Sequence, residues 1–383
     1  MKRSEDRILV THVGRLERPH EITELMGANP QVRPTDNDFS QKLTAAVSDI
    51  VKKQADAGID VICDGEVGKL SWITYATSRL TGCEFVEGET VRAMFGKDRH
   101  DFADYYAATQ GGMSNRNTHG ARSTKFPVIT GPITYTGHEH ILTDLANLKS
   151  ALTQVQVEEA FVPSVAPGSV LFANHHYSTE EEFLGAVADA MREEYRAIVD
   201  AGFILQLDDP AIPSIWDRML LDWDEKKFQE ACEVRVEALN HALTGIDPQR
   251  VRVHVCFGSW HGPHTTDMPI ERLIPLMYKM NVGGYVIEAG NVRHEHEWQA
   301  WKKAKLPGDR ILVPGVVSHA TDTVEHPELV AWRLGLFADV VGRENVIAGT
   351  DCGLGYRVHD QVAWAKLKAM KEGADIATKS LWR

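Results

Sequence analysis

His254 and Cys256 stand two residues apart at the end of a short apolar run, residues 251–256. In an extended chain, residues i and i+2 point to the same face, so this imidazole and this thiol can reach one point. Two further donors close comparable runs: Glu288 after residues 285–287 and Cys352 after residues 345–348. One ring nitrogen, two sulfurs and one carboxylate oxygen suit a tetrahedral Zn²⁺. Three anionic ligands give such a centre a charge of about −1 by simple counting. Zinc that rich in electrons polarises water poorly and is suited to holding a thiolate that stays nucleophilic. Singly, each residue has an ordinary reading. A buried free Cys is common in cores, and a Glu here can cap the following helix. The expectation of a metal centre rests on all four meeting.

Meeting requires strands that end at one place. Short apolar runs occupy residues 8–13, 60–63, 126–130, 203–207, 251–256, 285–287, 311–313 and 345–348. Between most of them lie stretches of helical periodicity, at 39–57, 142–160, 180–201, 225–242, 270–280, 297–304, 327–341 and 361–373. Eight strands alternating with helices predict an α/β fold, a (β/α)₈ TIM barrel. A doubly wound open sheet fits less well, because no G-x-G-x-x-G follows the first run. The polar, Gly-rich segment 82–125, with Gly111-Gly112-Met113-Ser114-Asn115, breaks the rhythm and reads as a loop inserted after the second strand. The expected organisation is one catalytic barrel over 1–383 with that insertion inside it.

Barrel active sites lie at the C-terminal ends of the strands. Besides the four donors, those ends carry His12, Gly14 and Arg15, then Glu66, then Asp208 and Asp209, and His319. The net charge of −13 excludes a general nucleic-acid binder, which needs a basic face. No apolar run approaches the roughly 20 residues of a membrane span. The N-terminus has Glu5 and Asp6 where a signal peptide has an apolar stretch, so a cytoplasmic protein is expected. Five widely spaced cysteines are a poor disulfide framework. Cys63, Cys83 and Cys232 read as structural. The expected partners are a small-molecule thiol and an alkyl donor, with no nucleic acid or membrane and with room for a homo-oligomer.

The segments His254-Val255-Cys256, Val286-Ile287-Glu288-Ala289-Gly290-Asn291 and Gly349-Thr350-Asp351-Cys352-Gly353 resemble the zinc-ligand motifs of cobalamin-independent methionine synthase, in its catalytic domain. The resemblance covers nearly the whole chain. Val13-Gly14 resembles the loop that contacts homocysteine. Glu66 of Asp64-Gly65-Glu66 and Asp208 of Leu207-Asp208-Asp209-Pro210-Ala211 resemble the acids that bind its amino group. Thr130-Gly131-Pro132-Ile133-Thr134 resembles a segment near the folate site, and His319 resembles the family's general acid. The resemblance implies a (β/α)₈ barrel, zinc, no cobalamin, and transfer of a methyl group from a methylated folate or another donor to a thiol. Two positions depart from the pattern. Arg15 replaces a Ser, and His138 stands near the place of a pterin-stacking Trp. Arg15 suits an anionic head group, or else forms a surface ion pair with Glu17.

Three other functions compete. An epoxyalkane:coenzyme M transferase of the same superfamily would open an epoxide with a zinc-bound thiolate, and Arg15 favours it. A zinc hydrolase would hold water, which two sulfur ligands disfavour. A barrel can also serve as a non-catalytic binding module. In the main expectation the thiolate attacks the methyl carbon, His319 protonates the departing amine, Glu66 and Asp208 hold an ammonium, and segment 82–125 closes over the site. Trp72 and Trp260 are candidate pocket aromatics.

Overall fold

The structure, a computed structural model, describes residues 1–27, 33–72, 74–87, 96–109, 125–170 and 172–383. Its strands, in chain order, begin with β1 (Leu9–Val10), β2 (Val61–Ile62), β3 (Cys83–Glu87) and β4 (Lys125–Ile129). They continue with β5 (Glu159–Val165), β6 (Ala173–Asn174), β7 (Ile204–Asp208) and β8 (Val251–Val255), and finish with β9 (Gly284–Ile287), β10 (Ile311–Val317) and β11 (Ile347–Thr350). Eight of them pair in parallel in the order β1-β11-β10-β9-β8-β7-β5-β2. A parallel bridge between Thr11 and Val61 joins the two ends of that order, so the sheet closes into a barrel. The short runs are apolar because they are covered on both faces, as parallel strands between helices must be.

The helices are α1 (His20–Met26), α2 (Asn37–Asp56), α3 (Lys97–Asp101), α4 (Ala103–Ala108), α5 (His138–Leu152) and α6 (Glu180–Asp200). After them come α7 (Ala211–Asp222), α8 (Glu225–Ala242), α9 (Ile270–Tyr278), α10 (Pro327–Val341) and α11 (Asp360–Leu381). Side-chain caps start three long ones: Asp36 accepts from Phe39 N, Thr179 from Glu182 N and Asp224 from Lys227 N. No helix among the described residues is long and apolar enough to cross a membrane.

Three elements differ from the sequence expectation. The run at 126–130 forms β4, which lies in a separate three-stranded sheet with β3 and β6. The third barrel strand is instead β5, which begins at the end of the stretch expected to be helical, 142–160, and runs on through residues given no element. Helix α5 stops at Leu152, and Glu159–Val165 pairs with β2 and β7. Pro163 hides this strand, because a proline inside a central strand removes a ladder donor. The expected helix at 297–304 is a 3₁₀ segment, Glu295–Lys302. Of segment 82–125, β3, α3 and α4 are described, whereas the glycine-rich stretch 111–115 lies outside the described residues.

Polar groups fill the barrel's centre. Arg252, 2 % exposed, donates to Gln206 Oε1 (2.9 Å), Thr11 Oγ1 (3.2 Å) and His12 O (3.1 Å), and stacks on Phe161. Gln206 in turn donates to Asp208 Oδ1 (2.9 Å) and to Val13 O. This chain of bonds orients the side chains above it. A second buried network joins α5 and α6 through Arg33 and Arg79. Arg79 pairs with Glu194 (2.8 Å) and Asp144 (2.7 Å), and Arg33 also pairs with Asp144 (2.7 Å). Tyr135, Tyr75 and Ser164 complete the bonding of Glu194.

Candidate active site

His254 ends its strand facing the barrel mouth, and Cys256 follows one residue beyond β8. Cys352 lies two residues past β11, with its Sγ 3.8 Å from that of Cys256. Donor atoms of His254, Cys256 and Cys352 all lie within 4.8 Å of one another. Neither ring nitrogen of His254, buried as it is, has a hydrogen-bond partner. Gly258 N donates to Cys256 Sγ (3.2 Å). Gly258 has φ +100°, and a Cβ there would sit 1.7 Å from the Trp260 ring, so only glycine lets the chain fold back over the sulfurs.

Glu288, the fourth predicted donor, belongs to an adjoining group. Its carboxylate lies with His319 and Asp351, again within 4.8 Å. Oε1 accepts from Phe257 N and Oε2 from Asn291 Nδ2, both at 2.9 Å. Phe257 is fixed by stacking on His294, with centroids 4.0 Å apart, and His294 is anchored between Asp267 (3.1 Å) and Glu297 (2.8 Å). Those two acids overcome burial and raise the His294 pKa to about 10. Asp351 accepts from Ala289 N (2.8 Å) and Gly290 N (2.7 Å), tying the ends of β9 and β11 together.

The electrostatics of this mouth are lopsided. The two thiols share a proton. Contact with Cys256, reinforced by His254, holds Cys352 well below the usual thiol range, while the same contact, with burial, pushes Cys256 well above it. Burial pushes Asp208 up to about 7, helped by Glu66. Burial also pushes Glu288 up to about 8, helped by Asp351. Acids and thiols crowd together here, and burial favours the neutral form of the acids. Burial works against a charge on His254, yet the Cys352 sulfur and nearby acids outweigh it and raise its pKa. His319 goes the other way, down to about 4 through burial, and its buried Nδ1 has no partner.

A cavity of about 320 Å³ opens beside the sulfurs. Val13, Arg15, Glu66 and Asp208 line it, together with His254, Cys256 and Cys352. Gly14 is packed behind it with φ +145°, and a Cβ there would stand 2.9 Å from Glu66 Oε1. Glu66 itself has φ +54°, is buried, and leaves Oε2 without a partner. Trp72 and Trp260 both line the cavity. His319 and the 130–134 segment are not among its lining residues, and His138 lies exposed, bonded to Glu193 at 2.7 Å. Arg15 does not pair with Glu17, which binds Lys53; it donates to Leu70 O (2.8 Å) and lies over Tyr356.

Three participants escaped the sequence reading. Asp351 and Arg357 flank Cys352 in the same loop, and adjacency to a ligand candidate was the available signal. Asp98 is the third. It lies in the first turn of α3, within segment 82–125, and lines the cavity. Asp98 accepts from Thr265 N (2.9 Å), Thr265 Oγ1 (3.0 Å) and Tyr106 OH (2.6 Å), so part of the insertion is docked onto the mouth. Nothing in the local sequence marks that long-range pairing.

Comparisons with known proteins place the chain in a family. The sequence profile of the family described as cobalamin-independent synthase, catalytic domain, matches residues 93–376. A methionine synthase of Sulfolobus acidocaldarius is 22% identical over 374 residues, covering 97% of this chain and 92% of that protein. A methionine synthase of Sulfurisphaera tokodaii is 24% identical over 375 residues, covering 97% and 93%. The solved structure of a B12-independent methionine synthase from Shewanella sp. W3-18-1, in complex with selenomethionine, superposes with a TM-score of 0.71 at 20% identity. That superposition covers 98% of this chain and 99% of the other and shows a shared fold.

Proposed function

Because the chain belongs to the family of cobalamin-independent synthase catalytic domains, we propose that it transfers a methyl group to the thiol of homocysteine or a closely related thiol. The observation that carries this is the trio of His254, Cys256 and Cys352, whose donor atoms lie within 4.8 Å of one another and whose buried imidazole has no hydrogen-bond partner. The donor set fits zinc. His254, Cys256 and Cys352 would hold the ion, and Glu288, in the adjoining group, is the proposed fourth ligand once its carboxyl loses its proton. Bound zinc would supply a thiol pKa low enough for thiolate at neutral pH. No cobalamin is required, and a methylated folate is the proposed methyl donor.

The protein's own groups do the rest. Glu66 and Asp208 face the cavity and bind the substrate ammonium, whose charge favours the ionised form of Asp208. Trp260 and the docked α3–α4 segment wall the cavity and exclude water. His319 is the proton donor to the departing amine in this reading; burial favours its neutral ring, and the charge at Cys352 works against that and favours the protonated form the step needs. The reading includes one catalytic barrel over 1–383 acting in the cytoplasm on small molecules.

The test is an assay of purified, zinc-loaded protein. Methylated folate plus homocysteine should yield methionine, with activity lost on chelation and restored by zinc. An epoxide plus coenzyme M forms the second arm, since Arg15 in the cavity suits an anionic thiol. Turnover of that pair alone, or hydrolysis needing no thiol, overturns the methyl-transfer reading.

A further inference from the structure

We propose that Arg15 and Arg357 form an anion clamp at the mouth, which seats the carboxylate of the thiol substrate opposite Glu66 and Asp208. The proposal rests on the thiol-acceptor reading above and deepens it, because it assigns the residues that make the acceptor an amino acid.

Both guanidinium groups line the same cavity as Cys256 and Cys352. Neither has a carboxylate partner. Arg15 is oriented by one donor, Nη2, bonded to Leu70 O (2.8 Å), and by the face of Tyr356, 4.9 Å from its ring centroid. The side chain of Arg357 makes no hydrogen bond or ion pair with the described residues, in a chain where buried arginines elsewhere are matched by acids or carbonyls. Burial, and the neighbouring charge of Arg15, depress the Arg357 pKa, whereas the Cys352 and Cys256 sulfurs favour its charge. Two like charges thus line one cavity with the reacting sulfurs, half-buried.

The backbone builds this arrangement. Gly355 N donates to Arg15 O (3.0 Å), and a Cβ on Gly353 would press on Arg15 Cβ at 2.9 Å. The loop that carries Cys352 therefore lies directly against Arg15 and brings Arg357 with it. A planar guanidinium matches a carboxylate through two parallel N–H bonds, and a shared carboxylate relieves the repulsion between the two cations. In the same cavity, Glu66 Oε2 is buried and unpartnered, and Glu66 and Asp208 feel each other's charge. Two acids, two bases and a sulfur-binding trio around one small space describe a thiol that carries both an ammonium and a carboxylate. A thiol sulfonate would occupy the clamp and leave Glu66 and Asp208 unmatched.

The test is calorimetric binding of three probes to the zinc-loaded protein, with zinc content measured on the same samples. The probes are homocysteine, its decarboxylated analogue aminopropanethiol, and mercaptoethanesulfonate. Wild type should bind homocysteine roughly 10- to 100-fold more tightly than aminopropanethiol, as charge-assisted bonds to a carboxylate imply. Arg357→Gln and Arg15→Gln should erase that preference while leaving aminopropanethiol affinity unchanged, and Arg357→Lys should restore part of it. Equal binding of the two amines by wild type, or equal loss of both in the variants, overturns the clamp while leaving thiol binding intact. Tighter binding of mercaptoethanesulfonate than of homocysteine overturns the assignment to an amino-acid carboxylate. If no thiol binds the zinc-loaded wild type, the thiol-acceptor reading falls, and the clamp with it.

Discussion

Two buried clusters of charge in this molecule obey different rules. Around Glu194, two guanidiniums meet two carboxylates, and three hydroxyls fill the remaining acceptor sites. The charges cancel, and against burial Arg33 and Arg79 hold Asp144 well below the usual carboxylate range. At the barrel mouth, two thiols and the acids Asp208, Glu288 and Asp351 crowd around His254, and the same burial drives those acids up. A cluster whose charges cancel internally needs nothing else and serves the fold. A cluster of sulfurs and raised acids around an unpartnered imidazole is a donor set that a bound cation would complete. The contrast points to the mouth as the site and to the Glu194 cluster as scaffold, although both are buried and polar.

The comparison can be broken from either side. At the mouth, Cys352→Ser should remove stoichiometric zinc and lower methyl transfer by ~10³-fold or more, since a metal centre supplies several kcal/mol; full zinc content in the variant would contradict this. His319→Gln should keep its zinc and lose ~10²- to 10⁴-fold in kcat, the range for a proton donor. An unchanged kcat would remove His319 from the chemistry. In the scaffold, Arg79→Ala leaves two buried acids short of a partner and should cost about 3–5 kcal/mol of stability. That loss is read as a fall in Tm, with zinc affinity of the folded fraction unaltered.

The smallest effect sharpens the contrast by pH. In chelated protein, Asp208 (about 7) and Glu288 (about 8) hold protons that their unfolded counterparts lose near pH 4. The folded state binds more protons over that window, so stability should fall as pH rises from about 4 to about 8, by at least about 1 kcal/mol. Asp144 and Glu194 carry depressed pKa values. They contribute stability that is present above the unfolded pKa and lost only at lower pH. Denaturant titrations of the chelated and zinc-loaded forms separate the two, since zinc should flatten the slope between pH 5 and pH 8.

Much of this architecture could be read from residue pattern alone, for reasons specific to each element. Helices α8 and α10 were legible to the residue, because Asp224 caps one and Pro327 opens the other before an uninterrupted apolar period. The H-x-C pair placed itself, since strand periodicity puts both side chains on one face. Strand β5 was illegible because Pro163 breaks its run and β4 imitates a barrel strand in composition. The grouping of Glu288 with Asp351 and His319 was also hidden, since it depends on backbone amides of Phe257, Ala289 and Gly290 that belong to two separate loops. Arg357 went unnoticed because an arginine's significance here lies in lacking a partner, which only three dimensions reveal.

Proton release on metal binding tests the central claim most directly. Calorimetric titration of chelated protein with zinc at pH 7, in buffers of different ionisation enthalpy, counts the protons displaced. Cys256, His254 and Glu288 should together lose at least about two protons per zinc bound, and Cys232→Ser should behave as wild type. Stoichiometric binding with no proton displaced, or no tight binding at all, would contradict the mouth as a metal centre.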